Sequence, residues 1–187
     1  KRQPQIHDFL TRRKGSWRQT VLGIYNVKAK GIRIITNTVV TKQNYKFLPD
    51  LAELFVKLKV DQYQFAFVHI LGNARMYWDQ VVPRISEAAF FIKKGLDIGI
   101  RHGVSVMAEA MPFCLMQGYE EYVSENYIPS TQIKEVGWQV DNFESVRRRE
   151  GKKKFAQCVR CKWNNICEGP WKEYPELFGE DEFKPVQ

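Results

Sequence analysis

Four cysteines carry the clearest chemistry in this chain. Cys158 and Cys161 form a CxxC pair, Cys167 follows after five intervening residues, and Cys114 stands far upstream. A CxxC turn lets two sulfurs face one centre, and a third cysteine a few residues on completes one side of a thiolate cage. Cys114 is the expected fourth ligand. Four soft thiolates suit an iron–sulfur cluster or structural zinc, and spacing alone does not separate the two. Zinc sites more often pair two CxxC knuckles, so a single CxxC with a remote partner favours the cluster and leaves zinc as the alternative. Four cysteines are too few to staple a secreted scaffold of 187 residues. A thioredoxin-like pair would open a helix after a strand, and this CxxC lies in no such context.

The elements that must position these residues are legible from periodicity. Ser16 starts a helix in which Trp17, Val21, Ile24 and Val27 recur at helical spacing, and Gly31 closes it. Ile32 to Thr41 is rich in β-branched residues with apolar positions on both faces, as in a strand covered by helices. Pro49 fits the first turn of a second helix with Leu51, Ala52, Phe55 and Leu58 in one stripe. A second strand spans 61–70, a third helix is expected over 79–101 with Pro83 near its start, and a third strand spans 104–109. Strand and helix alternate, which predicts an α/β fold with parallel strands joined by right-handed crossovers. From residue 113 onward the rhythm stops, and the segment 155–187 is dense in Cys, Trp, Pro and Gly, as in a small lobe organised by a bound metal.

Charge and hydropathy narrow the function classes. The 29 Lys plus Arg outnumber the 21 Asp plus Glu, a net +8 that permits an acidic or nucleic-acid partner without requiring one. The basic runs at 12–14 and 147–154 read by default as solvated surface. No apolar run approaches the ~20 residues that span a bilayer, and no cationic, apolar leader is present, so no membrane partner is expected and the cytoplasm is the expected location.

His7, Asp8, Phe9, Leu10 and Thr11, then Gly15, Ser16 and Trp17, the strand Thr36 to Thr41, Asn44, and Phe65 to His69 together resemble the second half of a radical S-adenosylmethionine enzyme. The tail, with Pro112, Phe113, Cys114, Gly118, Tyr119, the three later cysteines and the run Glu168 to Tyr174, is similar to the cysteine-rich extension of family members that carry an auxiliary cluster, of the SPASM or twitch kind. The resemblance implies a division at 1–112, the second half of a partial (β/α) TIM barrel, and 113–187, a small irregular cysteine-rich module. It departs from the family in lacking the CxxxCxxC that binds the catalytic cluster and the glycine-rich strand that holds the methionyl amino group. The chain is therefore expected to be a fragment, inactive alone, whose first partner is the missing N-terminal half with the catalytic cluster.

In the intact enzyme the resemblance implies S-adenosylmethionine contacts at Asn37 and Thr38 and at His69, Ile70, Leu71 and Gly72, with an auxiliary 4Fe-4S cluster on Cys114, Cys158, Cys161 and Cys167. An unidentified substrate and an electron donor complete its partners. Side-chain chemistry alone allows plainer roles: Asn37 and Thr38 as satisfiers of strand-end amides, His69 as a hydrogen-bonded histidine, His7 and Asp8 as a local cap. Glu109, ending the third strand, is expected to face the sheet's mouth or the tail. Trp163, Trp171 and Tyr174 are expected around the cysteine triplet, where rings would shield a cluster. An unpaired edge on the strand 32–41 predicts self-association. The competing class is a non-catalytic, zinc-stabilised module whose basic runs contact nucleic acid.

Overall fold

The computed structural model describes residues 3–187. Helices α1 (Gln3–Leu10) and α2 (Ser16–Lys28) lead into strand β1 (Ile35–Val40), helix α3 (Leu48–Lys57) and strand β2 (Gln62–Phe67). Two short helices, α4 (Asn73–Met76) and α5 (Trp78–Val81), precede the long helix α6 (Ile85–Arg101) and strand β3 (Ser105–Glu109). The three strands form one parallel sheet in the order β1-β2-β3. The α/β expectation is met at this level.

Strand alternation sorts the sheet's side chains. Tyr63, Phe65, Val106 and Ala108 are buried against the helix layer, while Asn37, Gln64 and Met107 share one register row on the other face. Helix α6 crosses behind β2 and β3 very closely, and its two glycines are the reason it can. A Cβ on Gly95 would sit 2.6 Å from a Phe65 ring carbon, and one on Gly99 2.3 Å from Val106 Cγ1. The Tyr63 hydroxyl donates to the Gly95 carbonyl at 2.6 Å, fastening strand to helix. Leu96, Ile92, Ile85 and Leu48 are completely buried in this layer.

The helix expected over 79–101 is broken. Pro83 restricts the residue before it, so Val82 is extended (φ −92, ψ 116), Arg84 is extended as well, and only α6 runs uninterrupted. A hairpin, β4 (Ile133–Glu135) with β5 (Trp138–Val140), lies inside the stretch expected to be irregular. Otherwise residues after β3 form single 3-10 turns, a short helix α7 (Phe143–Val146), a π-helical turn at Arg147–Gly151 and a short helix α8 (Tyr174–Phe178). The tail packs on the body: Phe113, Met116, Val123, Trp171, Tyr174 and Phe183 belong to the same apolar cluster as the sheet residues. Val123 bridges Ala108 at the outer edge of β3. Among the described residues no helix is long and apolar enough to cross a membrane.

Candidate functional site

The end of β3 starts the path to the first cysteine. Ala110 takes a left-handed backbone conformation (φ 59), unusual for a residue with a Cβ, and its amide donates to Glu125 Oε1 at 2.7 Å. The turn redirects the chain through Pro112 into a 3-10 turn, Phe113–Leu115, anchored by buried Phe113 and Met116, which presents Cys114. On the tail side, Cys158 lies in the 3-10 turn Ala156–Arg160 and Cys161 ends it, its amide donating to the Cys158 carbonyl at 3.0 Å. The amide of Cys167 donates to the Trp163 carbonyl at 2.8 Å. Gly169 (φ 83) then lets the backbone pass residue 153 so closely that a Cβ would meet the Lys153 carbonyl oxygen at 2.0 Å. That approach brings Cys167 back beside the CxxC.

All four sulfurs line one small cavity of about 30 Å³, walled also by Pro112, Phe155, Pro170 and Phe183. No cysteine is in a disulfide. Backbone amides address two of the sulfurs: Phe155 N–H donates to Cys158 Sγ at 3.5 Å and Val186 N–H to Cys161 Sγ at 3.4 Å. Burial pushes the Cys114 thiol up to about 12, and its neighbours Cys167, Cys161 and Cys158 add to the rise. Burial also raises the Cys167 thiol, against the backbone of Phe113 and Gly169 and the charge of Lys154. Lys154 lines the cavity with its ammonium anchored on the Asn164 carbonyl.

Among the described residues, no three His, Cys, Asp or Glu side chains are drawn together tightly enough to hold a single metal ion. A tetrahedral zinc with bonds of about 2.3 Å would require sulfurs within roughly 3.8 Å of one another. The arrangement is one of four thiols around a shared space, with amide donors at the rim. Thiols are the soft donors that thiolate-bound metal centres use in general.

A second polar constellation lies where the tail meets the carboxyl ends of β2 and β3. Arg147, expected at the surface, is buried and holds Glu125 at 2.9 Å, also pairing with Glu168. Lys152, fully buried, reaches Glu125 at 3.3 Å. Glu109 accepts from Gln64 at 2.6 Å and lies 3.8 Å from Arg147, so it faces both the sheet's mouth and the tail. His69 stacks on Trp171 at 3.9 Å, and the Lys152 ammonium lies 4.0 Å from the Trp171 ring centre. Desolvation lowers the His69 pKa, opposed by Glu173, whose carboxylate is 3.8 Å from Nε2. Sequence reasoning found Glu109, His69 and Trp171 but missed Arg147 and Lys152, because a run of cations gives no local sign of the distant carboxylates that bury it.

The remaining expected site residues are dispersed. Asn37 is exposed at mid-sheet level opposite Gln64, and Thr38, next in the strand, faces the helix side; both line a cavity of about 280 Å³ between β1, α3 and helices α1 and α2. His69, Ile70, Leu71 and Gly72 lie beyond the end of β2 and do not line it. Ile70 is buried and Leu71 exposed. Of the three rings expected around the cysteines, Trp163 packs on Phe113 at 5.5 Å, whereas Trp171 and Tyr174 sit against the sheet: Trp171 donates to the Phe67 carbonyl at 3.4 Å and Tyr174 packs on Phe67. Asp8 caps α2, accepting the amides of Gly15 and Trp17.

No family model and no curated protein matches this chain. A search of solved structures finds a similarity to Streptococcus suis SuiB in its crystal structure bound to S-adenosylmethionine. The two share 15% identity with a TM-score of 0.49, over 90% of this chain and 47% of that one. The chain thus spans about half the length of that neighbour.

Proposed function

We propose that this chain supplies part of a (β/α) barrel wall and an auxiliary iron–sulfur site to a radical S-adenosylmethionine oxidoreductase, dividing into a barrel segment, 1–112, and a cluster module, 113–187. The convergence of four cysteines, one from the end of β3 and three from the tail, on one cavity carries the reading. Cys114, Cys158, Cys161 and Cys167 would hold the cluster, and a cage of four thiolates would suit electron transfer better than substrate anchoring. Bound there, a cluster supplies one-electron transfer at a potential set by its surroundings. The chain's own residues do the setting: the amides of Phe155 and Val186 donate to sulfur, the stacked rings of Phe155 and Phe183 (5.1 Å) restrict water, and the Lys154 ammonium places positive charge beside Cys167.

Asn37 and Thr38 on β1 and the segment His69–Gly72 beyond β2 are the residues we assign to S-adenosylmethionine in the intact enzyme, with the other barrel strands and the catalytic cluster supplied from outside this chain. Only Asn37 of the first pair can present its side chain on the face away from the helices. β1 pairs with β2 alone among the described strands, and exposed Ile35 and Val39 flank its outer edge, so that edge is the place for the missing wall or for a second copy. The competing nucleic-acid module loses support from the burial of Arg147 and Lys152, which removes two cations from the surface of its basic run.

Anaerobic purification of the chain, with iron and sulfide assay and visible spectroscopy, is the test. The expected result is a brown protein holding about four irons per chain, whose absorption bleaches on reduction and whose iron is lost in Cys114→Ser. A colourless protein with stoichiometric zinc, or full iron content in Cys114→Ser, overturns the reading.

A further inference from the structure

The surface charge around the three tail cysteines is all of one sign. From Gly151 to Cys167 the chain carries five cations and no Asp or Glu. Lys152 is buried on Glu125, but Lys153, Lys154, Arg160 and Lys162 are exposed. Lys184, which lines the cysteine cavity with Lys154, is exposed as well. Elsewhere surface cations find carboxylates: Lys28 holds Asp61 at 2.9 Å, Arg75 holds Glu176 at 2.8 Å and Arg84 holds Glu182 at 3.0 Å. Among the described residues, none of these five exposed cations is paired in that way. The Lys154 ammonium rests on the Asn164 carbonyl and that of Lys162 lies 5.3 Å from the Trp163 ring centre, contacts that leave the charge uncancelled. One exposed acid, Glu180, shares a shallow depression with Lys153 and Lys154 without pairing with either.

Uncancelled charge of one sign attracts a partner of the other, and the residues set among these cations indicate its kind. Val159, inside the CxxC and beside Arg160, is 75% exposed. Ile166, just before Cys167, is 42% exposed, and its carbonyl accepts from Arg148 at 3.0 Å. Aliphatic side chains open to water with charge about them are the anatomy of a protein–protein interface, apolar at the centre and polar at the rim. A single-stranded nucleic acid would be held instead by rings open to stack on its bases. The rings here are turned onto the protein, Trp163 packing on Phe113 and Phe155 on Phe183. Both exposed aliphatic residues adjoin cysteines of the cavity, so a protein seated on them covers that site.

We infer that the surface over the four-cysteine cavity docks an acidic electron-carrier protein, with Val159 at the centre of the contact and Lys153, Arg160, Lys162 and Lys184 meeting its carboxylates. Electron exchange there, one centre oxidised as the other is reduced, rests on the cluster proposed above; the docking does not. Redox encounters of this kind bury little area and weaken as salt screens the rim.

The test is biolayer interferometry of the full chain, purified anaerobically, against an acidic plant-type ferredoxin, with an oligothymidylate as the nucleic-acid probe. Saturable binding to the ferredoxin that weakens with added salt is expected. Arg160→Gln with Lys162→Gln weakens it at least about fivefold, and Lys153→Gln with Lys184→Gln does the same, as for paired losses of rim charge. Lys30→Gln with Lys57→Gln removes the same net charge from exposed positions at the amino end of the sheet and leaves the affinity within about twofold. No saturable binding to the ferredoxin, equal weakening by the Lys30 and Lys57 pair, or tighter binding to the oligothymidylate overturns the proposal. If one of the first two pairs disturbs the fold, the other decides. Iron is assayed separately: docking without iron overturns the cluster and leaves the surface standing, and iron without docking does the reverse.

Discussion

Between Leu48 and Glu109 the protein is held by apolar contact, and between Phe113 and Gln187 buried ion pairs take over part of that work. In the body, Leu48, Phe65, Ile85, Ile92 and Leu96 are completely buried. In the tail lie all the buried charged residues among those described: Arg147, Lys152, Glu168 and Glu173. Apolar packing tolerates small changes in shape because each contact is weak and many share the load. A buried ion network has few members, and removing one strands the others. The body should therefore lose stability gradually under substitution, and the tail abruptly.

Arg147→Met is the sharpest way to break this comparison. The guanidinium is the shared partner of Glu125 and Glu168, and its removal leaves Glu125 with Lys152 and Glu168 with only the long contact to the half-exposed Arg148 at 4.0 Å. The expected cost is about 3–5 kcal/mol, the range for breaking a buried pair from one side. Hydrogen exchange should show lost protection over 143–174 while β1–β3 and α6 keep theirs. A uniform loss across the chain, or a cost below about 1 kcal/mol, would show that the network does not hold the tail.

The matching change in the body is Gly99→Ala. Alanine gains up to about 1 kcal/mol in helix propensity. The new methyl, however, would sit 2.3 Å from Val106 Cγ1 and 2.4 Å from the Tyr63 hydroxyl. Overpacking of this kind costs about 1–3 kcal/mol, so urea unfolding should show a net loss that Val106→Ala, by opening room, partly restores. A stabilised Gly99→Ala would mean that α6 can move away from β2 and β3, and that the close approach is not a constraint.

The two regions also differed in how far the sequence revealed them. Apolar periodicity is a local signal, and it located α2, α3, β1, β2 and β3 to within a few residues, since each depends on the stripe it buries. It misplaced the start of α6, because the stripe continues across Pro83 while the backbone cannot. The hairpin β4–β5 had a readable sign, alternation on either side of Gly137 (φ 88), masked by the irregular composition around it. The cysteine spacing pointed to a shared centre; the structure lines one cavity with all four, without drawing any three close enough to hold a single metal ion among the described residues. Arg147 and Lys152 were illegible: their partners are 21 or more residues away, and only the folded tail brings them near. Glu109 was visible as a strand-end carboxylate, but its partners, the Gln64 amide and Arg147, appear only in the folded chain.

The smallest effect expected is at the opposite end of the body, where Asp8 joins α1 to α2. Its carboxylate accepts Trp17 N–H at 2.9 Å, Gly15 N–H at 2.6 Å and the Ser16 hydroxyl at 3.0 Å, and these donors, with His7, hold its pKa below the ordinary 3.8. A carboxyl whose folded pKa is depressed contributes stability that is fully present above the unfolded value and is lost as pH falls through the folded one. The urea midpoint of the wild type should therefore decline between about pH 5 and pH 2 relative to that of Asp8→Asn. The asparagine keeps an acceptor for one amide but carries no titrating charge. The two curves should approach each other at low pH and separate above it. The separation should shrink with added salt less than that of a surface ion pair, since the donors are fixed amides at the start of α2 and not mobile cations. Parallel curves across the whole range would place the capping energy elsewhere in the α1–α2 corner, with Thr11 and Ser16, whose hydroxyls lie 2.7 Å apart, as the next residues to change.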